Sequence, residues 1–421
     1  MPRTSRTLVL IVALLVSSTR ASAQVERAEL AAGGGSLQDE FGAAVALDGE
    51  RVLVGAPLDD HTARTDAGSA YVFERGPGGT WTQITRLSAA DRASSDFFGG
   101  SVALLGGRAL VGADGDDDQG SLSGSVYAFE RDGAGTWLQT AKLHAPDGAA
   151  FDIFGEVLSL SGERLLIGAP GHAGTAGAAY LFERRADASW HLAAELGAAD
   201  AAANAFLGNA VVLAGERAAV GAFSDDGVAP DAGAVYVFQR VLQPGWSLAG
   251  GRTPGGRTRS GTWRQVAKLT ALDAGPGDAF GSSVALSGER LLVGAHGDDD
   301  AGLDAGAAYL FERANGVWTQ VAKLTPGAAG DFAGAAVALD GERALLGAFA
   351  ADAPATDAGL VYAFERVGAA WVARPALGAS DGLAADAFGS ALALQGARLV
   401  AGAFRGNGLN ADSGSAYVFE F

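Results

Sequence analysis

The sequence predicts an all-β fold: a β-propeller of seven four-stranded antiparallel blades, the last closed by the N-terminal strand. Three observations lead there. A unit that opens Asp278-Ala279-Phe280-Gly281 recurs seven times. It runs through Val284-Ala285-Leu286, Gly288-Glu289-Arg290, Leu292-Val293-Gly294-Ala295 and Tyr309-Leu310-Phe311-Glu312-Arg313 to Trp318, and its opening glycines are Gly42, Gly99, Gly155, Gly208, Gly281, Gly334 and Gly389. All seven tyrosines (Tyr71, Tyr127, Tyr180, Tyr236, Tyr309, Tyr362 and Tyr417) stand at one position of that unit, two residues before a phenylalanine. Inside the unit the apolar residues form short runs or alternate, and helical periodicity is absent apart from the Ala-rich stretch Ala198 to Ala205 in an inter-unit loop. Such a unit cannot bury its faces alone, so its copies must stack against one another in a ring.

Taken in order, residues 1–23 read as an export leader: Arg3 and Arg6 precede an apolar run from Leu8 to Val16, and Ala21-Ser22-Ala23 offers a peptidase small side chains. The mature chain, 24–421, is expected to be one propeller. Its first segment, Val25 to Leu30, contains Ala28-Glu29-Leu30, which repeats the Ala194-Glu195-Leu196 that ends a fourth strand. The last unit stops at Phe421, after its third strand. The two termini are therefore expected to share one blade, which removes an exposed sheet edge.

Within each unit the first strand (Val284 to Leu286) is small and apolar, suiting the crowded axis. The second (Leu291 to Ala295) is continuously apolar, the third alternates, and the fourth opens with a tryptophan. Gly-Glu-Arg turns and Asn315-Gly316-type turns join them as hairpins. The fourth unit carries an insert at about 241–260, with Gln243-Pro244-Gly245-Trp246 and a Gly/Arg-rich run, read as a loop on the less acidic face.

The chain has 48 acidic and 30 basic side chains and no cysteine. That composition excludes disulfide scaffolds, thiolate chemistry and nucleic-acid binding through bulk charge. After the leader no apolar run is long enough for a membrane helix. A secreted, periplasmic or cell-surface location is expected. Lys142, Lys268 and Lys323 all sit in Ala-Lys-Leu rather than in a phosphate-binding loop, and neither a Gly-x-Ser-x-Gly elbow nor a zinc helix occurs.

Phe41-Gly42 with Gly55-Ala56-Pro57, and Phe154-Gly155 with Gly168-Ala169-Pro170, resemble the FG-GAP repeat of the seven-bladed propeller in integrin alpha subunits and many exported bacterial proteins. The resemblance covers essentially the whole mature chain and implies a binding or adhesion role. In the integrin version the hairpin between strands one and two often carries an Asp-x-Asp-x-Asp-Gly calcium loop. Here it is reduced to Asp48-Gly49-Glu50-Arg51, Ser161-Gly162-Glu163-Arg164 and similar turns, so those calcium sites do not carry over.

The acid lies elsewhere. In an up-and-down blade the loops joining strands two to three share a face with the inter-blade loops, and the two-to-three loops hold 17 aspartates against Arg64 and Arg405. The opposite face places one arginine in each turn between strands one and two: Arg51, Arg108, Arg164, Arg217, Arg290, Arg343 and Arg398. An acidic face of this kind attracts cations and basic partners. Asp114, Asp116 and Asp118 in the second blade, and Asp298 and Asp300 in the fifth, are candidate Ca2+ ligands, since carboxylates alternating across a glycine turn offer hard oxygens. The competing role is turn initiation by side-chain bonds to nearby N–H groups. Asp59, Asp60, Asp117, Asp225, Asp226 and Asp299 are candidate partner contacts.

The aspartate preceding each Phe-Gly is read as a turn-former, the recurring tryptophans (Trp81, Trp137, Trp190, Trp263, Trp318 and Trp371) as blade packing, and His61, His172 and His296 as solvated surface histidines. No catalytic constellation emerges. The expected function is a monomeric, non-catalytic exported binding propeller whose acidic face recognises an extracellular protein or carbohydrate. The alternative is a hydrolase or lyase using carboxylates on that face.

Overall fold

The computed structural model describes residues 24–200, 202–242, 261–408, 410 and 412–421. The leader expected at 1–23, and the insert from residue 243 onward, lie outside them. Seven four-stranded antiparallel sheets follow one another around a ring. In blade one the strands are Ala44–Asp48, Arg51–Ala56, Ser69–Arg75 and Trp81–Leu87, in that order from the axis outward. In the last blade Phe388–Gln395, Arg398–Ala403 and Ser415–Glu420 are completed by Val25–Leu30. The N-terminal strand copies its counterparts in detail. It pairs Val25 with Glu420 and Leu30 with Ala416, and it skips one residue between Glu26 and Ala28, where the fourth strands of blades one to five carry the same bulge. In blade four the outer hairpin runs on to pair Leu242 with Gly261, so the first two residues assigned to the insert are strand.

Each second strand is buried along nearly its whole length, as in Arg51–Ala56 and Arg290–Ala295, because both faces of the sheet are covered by neighbouring blades. The core is a set of inter-blade layers: Phe41, Val54, Tyr71 and Phe73 pack against Leu30, Val400, Ala416 and Val418 of the last blade. Phe41 meets Tyr71 and Phe73 edge-on, and Phe98, Phe154, Phe280 and Phe388 repeat that contact in their own blades. The tryptophans pack in these layers, Trp137 among Leu104, Val111 and Phe129.

The two glycines of the repeat meet across the blade interface. Gly42 lies at φ 98° and donates its N–H to Gly55 O within its own blade. A side chain on Gly55 would strike Gly99 O of the next blade, and one on Gly402 would strike Gly42 O, closing the ring. Gly is required at the first position by conformation and at the second by backbone approach. The Phe-Gly aspartates serve the entering turn as expected: buried Asp39, Asp96, Asp152, Asp278, Asp331 and Asp386 accept N–H bonds from Ser36, Ala93, Ala149, Gly275, Ala328 and Leu383. The described residues of Ala198 to Ala205 are not helical. The single helical segment among the described residues is His172–Thr175, where Ala173 and Gly174 have positive φ.

On the arginine face each turn reaches its neighbour. Arg108 binds Glu163, Arg164 binds Glu216, Arg217 binds Glu289, Arg290 binds Glu342 and Arg398 binds Glu50. Where the next turn has no glutamate, Arg51 and Arg343 bond the carbonyls of Gly106 and Gly396 instead. These pairs run around the rim and are solvated, so each contributes modestly.

Candidate functional site on the loop face

The loops joining strands two and three bond to the inter-blade loops beside them, Ser95 and Phe97 donating N–H groups to Thr65 O and Asp66 O. The acidic segments thus form one continuous face. Its aspartates fall into two populations. Asp59, Asp116, Asp225 and Asp298, each four residues after the second-strand glycine, are buried and accept hydrogen bonds from the phenols of Tyr71, Tyr127, Tyr236 and Tyr309. Next to them Asp60, Asp117, Asp226 and Asp299 are exposed. Asp60, Asp226 and Asp299 each cap their own loop by accepting an N–H, from Asp66, Asp231 and Asp304 respectively, which is the turn-forming role of aspartate.

Each buried carboxylate also meets a cation that rises from the fourth strand. Lys142 Nζ lies 2.7 Å from Asp116, 2.6 Å from Asp118 and 2.9 Å from Asp91. Lys323 repeats this with Asp298, Asp300 and Asp273 at 2.8, 2.6 and 2.9 Å. Lys268 joins Asp200 and Asp225, and Arg86 binds Asp59 at 2.9 Å. All four cations lie over the ring of the blade's tyrosine. Burial opposes the charge on Lys142, but its bonds to Asp116, Asp118, Tyr127 and Asp91 outweigh that and hold its pKa above the ordinary lysine value. Four of the five calcium candidates therefore converge on an ammonium group: Asp116 and Asp118 on Lys142, Asp298 and Asp300 on Lys323. Asp114 stands apart, near Gly100, with its carboxyl pushed up by burial. Of the partner candidates, Asp59 and Asp225 are inside, while Asp60, Asp117, Asp226 and Asp299 are at the surface.

A loop-by-loop count of charge misses the strand-four cations, because Lys142, Lys268 and Lys323 are distant in sequence from the acids they neutralise. The histidines also differ from the solvated reading. His61 bonds Gly68 O, Ser69 Oγ and Arg86, with its pKa lowered by burial and by that arginine. His172 has a side chain only 17 % exposed and stands edge-on to Tyr180. His296 is half-buried, with its pKa lowered by burial.

Along the axis the first strands of all seven blades line a channel of about 280 Å³, walled by small and apolar side chains such as Ala44, Ser101, Val211 and Ala336. Glu156 is the one charged residue among that lining. Desolvation by the surrounding protein, with Asp114 nearby, pushes its carboxyl up to about 7, although the side chain is open to solvent in the channel. Among the described residues no helix is long and apolar enough to cross a membrane.

Comparison with curated proteins finds no match. Comparison with family models does: the FG-GAP repeat matches at residues 25–73, 81–129, 137–182, 190–238, 263–311, 318–364 and 371–419. Each match begins in a fourth strand and ends in the third strand of the following blade, so the first of them takes in Val25–Leu30, the strand that closes the ring. With seven matches spanning most of the chain and seven blades to receive them, the protein belongs to the FG-GAP repeat family.

Proposed function

We propose that this propeller is an exported, non-catalytic binding module that recognises an extracellular protein or carbohydrate through its aspartate-bearing loop face. One observation carries the reading. The packing layers and the arginine rim repeat nearly unchanged from blade to blade, whereas the two-to-three loops differ in sequence and in length, from Pro170 to Gly177 in blade three to Phe404 to Gly414 in blade seven. Copies of one scaffold can differ in what they recognise only where their sequences differ. The exposed carboxylates Asp60, Asp117, Asp226 and Asp299 then supply the charge that meets a basic partner, since the buried ones are already paired.

The test is capture from a cell-surface fraction by the immobilised mature chain, repeated with Asp60→Asn, Asp117→Asn, Asp226→Asn and Asp299→Asn combined. The captured partner should be lost from the variant and should weaken as salt screens the field over about 8 to 10 Å. Deletion of residues 247–260 should leave capture intact. Retention by the fourfold variant, with loss on the deletion, would move the site to the insert.

A further inference from the structure

The cation that rises from strand four is not present in every blade. Glu195 occupies in blade three the position held by Lys142, Lys268 and Lys323, the middle of Ala-Glu-Leu where the others read Ala-Lys-Leu. In the same blade His172 replaces the buried loop aspartate, since Gly168-Ala169-Pro170-Gly171-His172 corresponds to Gly112-Ala113-Asp114-Gly115-Asp116. Asp147 keeps the inter-blade carboxylate equivalent to Asp91, and Tyr180 keeps the phenol. The place where other blades hold an ammonium is here bordered by an imidazole and two carboxylates. One ligand atom from each of Asp147, His172 and Glu195 lies within 4.8 Å of the others.

The hydrogen bonds orient this set. The His172 ring is 3.0 Å, through Nδ1, from Oδ2 of Asp152, a buried carboxylate that also accepts the Ala149 N–H. A neutral imidazole has a single N–H, and donating it to Asp152 leaves Nε2 as a lone pair. That lone pair lies 3.9 Å from Asp147 Oδ2, an acceptor facing an acceptor. The other oxygen of Asp147 is held at 2.9 Å by the Tyr180 hydroxyl. A buried carboxylate behind a histidine, fixing its tautomer and aiming its free nitrogen, is the arrangement that supports metal-ligating imidazoles.

We propose that His172, Asp147 and Glu195 form a site for a divalent transition-metal ion of the zinc type, on the loop face of blade three. Imidazole with two carboxylates suits zinc and its neighbours better than calcium or magnesium, which favour all-oxygen sets. Metal–ligand bonds of about 2.0 to 2.2 Å require the three atoms to draw together, and Asp147 and Glu195 are exposed, Asp147 keeping its second oxygen on the Tyr180 hydroxyl. The ion would restore the positive charge that lysine supplies in blades two, four and five. Asp152 is a positioning residue. This site stands on its own geometry, whether or not the face binds a macromolecule.

The test is calorimetric titration of Zn2+ into the tag-free mature chain at pH 7.5, with Mg2+ at equal ionic strength as control, and thermal melting in parallel. The wild type should take up one Zn2+ and melt higher with it. His172→Ala and Glu195→Lys should each weaken binding at least tenfold, and Asp152→Asn by roughly 10–100-fold. Glu195→Lys installs the side chain that blades two, four and five already carry, so its metal-free melting should match the wild type and separate loss of metal from loss of fold. A wild type that distinguishes Zn2+ from Mg2+ in neither measurement overturns the site, as does Zn2+ bound equally well by His172→Ala and Glu195→Lys.

Discussion

Removing the side chain of Leu30 tests how the ring is held shut. The closing strand orders six residues, Val25–Leu30, against Ser415–Glu420. Fixing six backbones costs about 6 kcal/mol or more. The hydrogen bonds of the ladder return about 1 kcal/mol each, so the ladder alone does not secure the strand. Exposed Arg27 paired with Glu420 adds little. The strand's buried residue is Leu30, 2 % exposed, seated among Phe41, Val54, Val400 and Val418. A buried leucine cut to alanine costs roughly 2–5 kcal/mol. Leu30→Ala should therefore lose about 3 kcal/mol by denaturant unfolding, most of what is lost by a chain starting at Gly33 instead of Gln24. The truncated chain should also self-associate in sedimentation, because the edge at Ser415–Glu420 is then unpaired. A Leu30→Ala variant as stable as the wild type, beside a truncation that is strongly destabilised, would refute the anchoring argument and return the closure to the ladder.

Three further outcomes follow from the loop face and the turns beneath it. Lys142→Met should destabilise by about 3–5 kcal/mol in denaturant unfolding, because it leaves the buried Asp116 without its ammonium partner, and Lys142→Met with Asp116→Asn should recover much of that loss. Millimolar Ca2+ should raise the melting temperature of the wild type no more than NaCl of equal ionic strength, since Lys142 and Lys323 already fill the points on which the candidate ligands converge. Burial pushes the Asp39 carboxyl up to about 6 from an ordinary 3.8, despite its bond from Ser36. A raised folded-state pKa contributes stability that is fully present below about 4 and is lost as pH rises through 6. Asp39→Asn should accordingly gain on the wild type between pH 4 and 7 in a pH series of unfolding midpoints, and a constant difference would count against this assignment.

The architecture was legible because the blade is a local object repeated. Each strand and hairpin turn is written within about 55 residues, and the identical placement of Tyr71, Tyr127 and their successors sets the phase of every copy. Closure was legible for the same reason: Ala28-Glu29-Leu30 could be matched to Ala194-Glu195-Leu196 before any strand was placed. The bulge at Arg27 was not, since a skipped residue shows only against its partner strand.

The chemistry of the loop face divides differently. That it is acidic follows from counting, and the turn role of the Phe-Gly aspartates follows from their spacing. Which carboxylates remain available does not, because the partner of Asp118 lies 24 residues away and that of Asp91 lies 51 away, on a strand whose alternation says nothing of where an ammonium ends. His172 read as a solitary surface histidine for the same reason, with Asp152, Asp147 and Glu195 all 20 or more residues from it in the chain. By itself the sequence determined the repeat, its strands and the ring they make, since local patterning and copy number suffice for those. Only the tertiary structure decided which charges cancel, because neutralisation acts over a few ångströms of space and the fold sets those distances by bringing strand four of each blade back to the loops at its top.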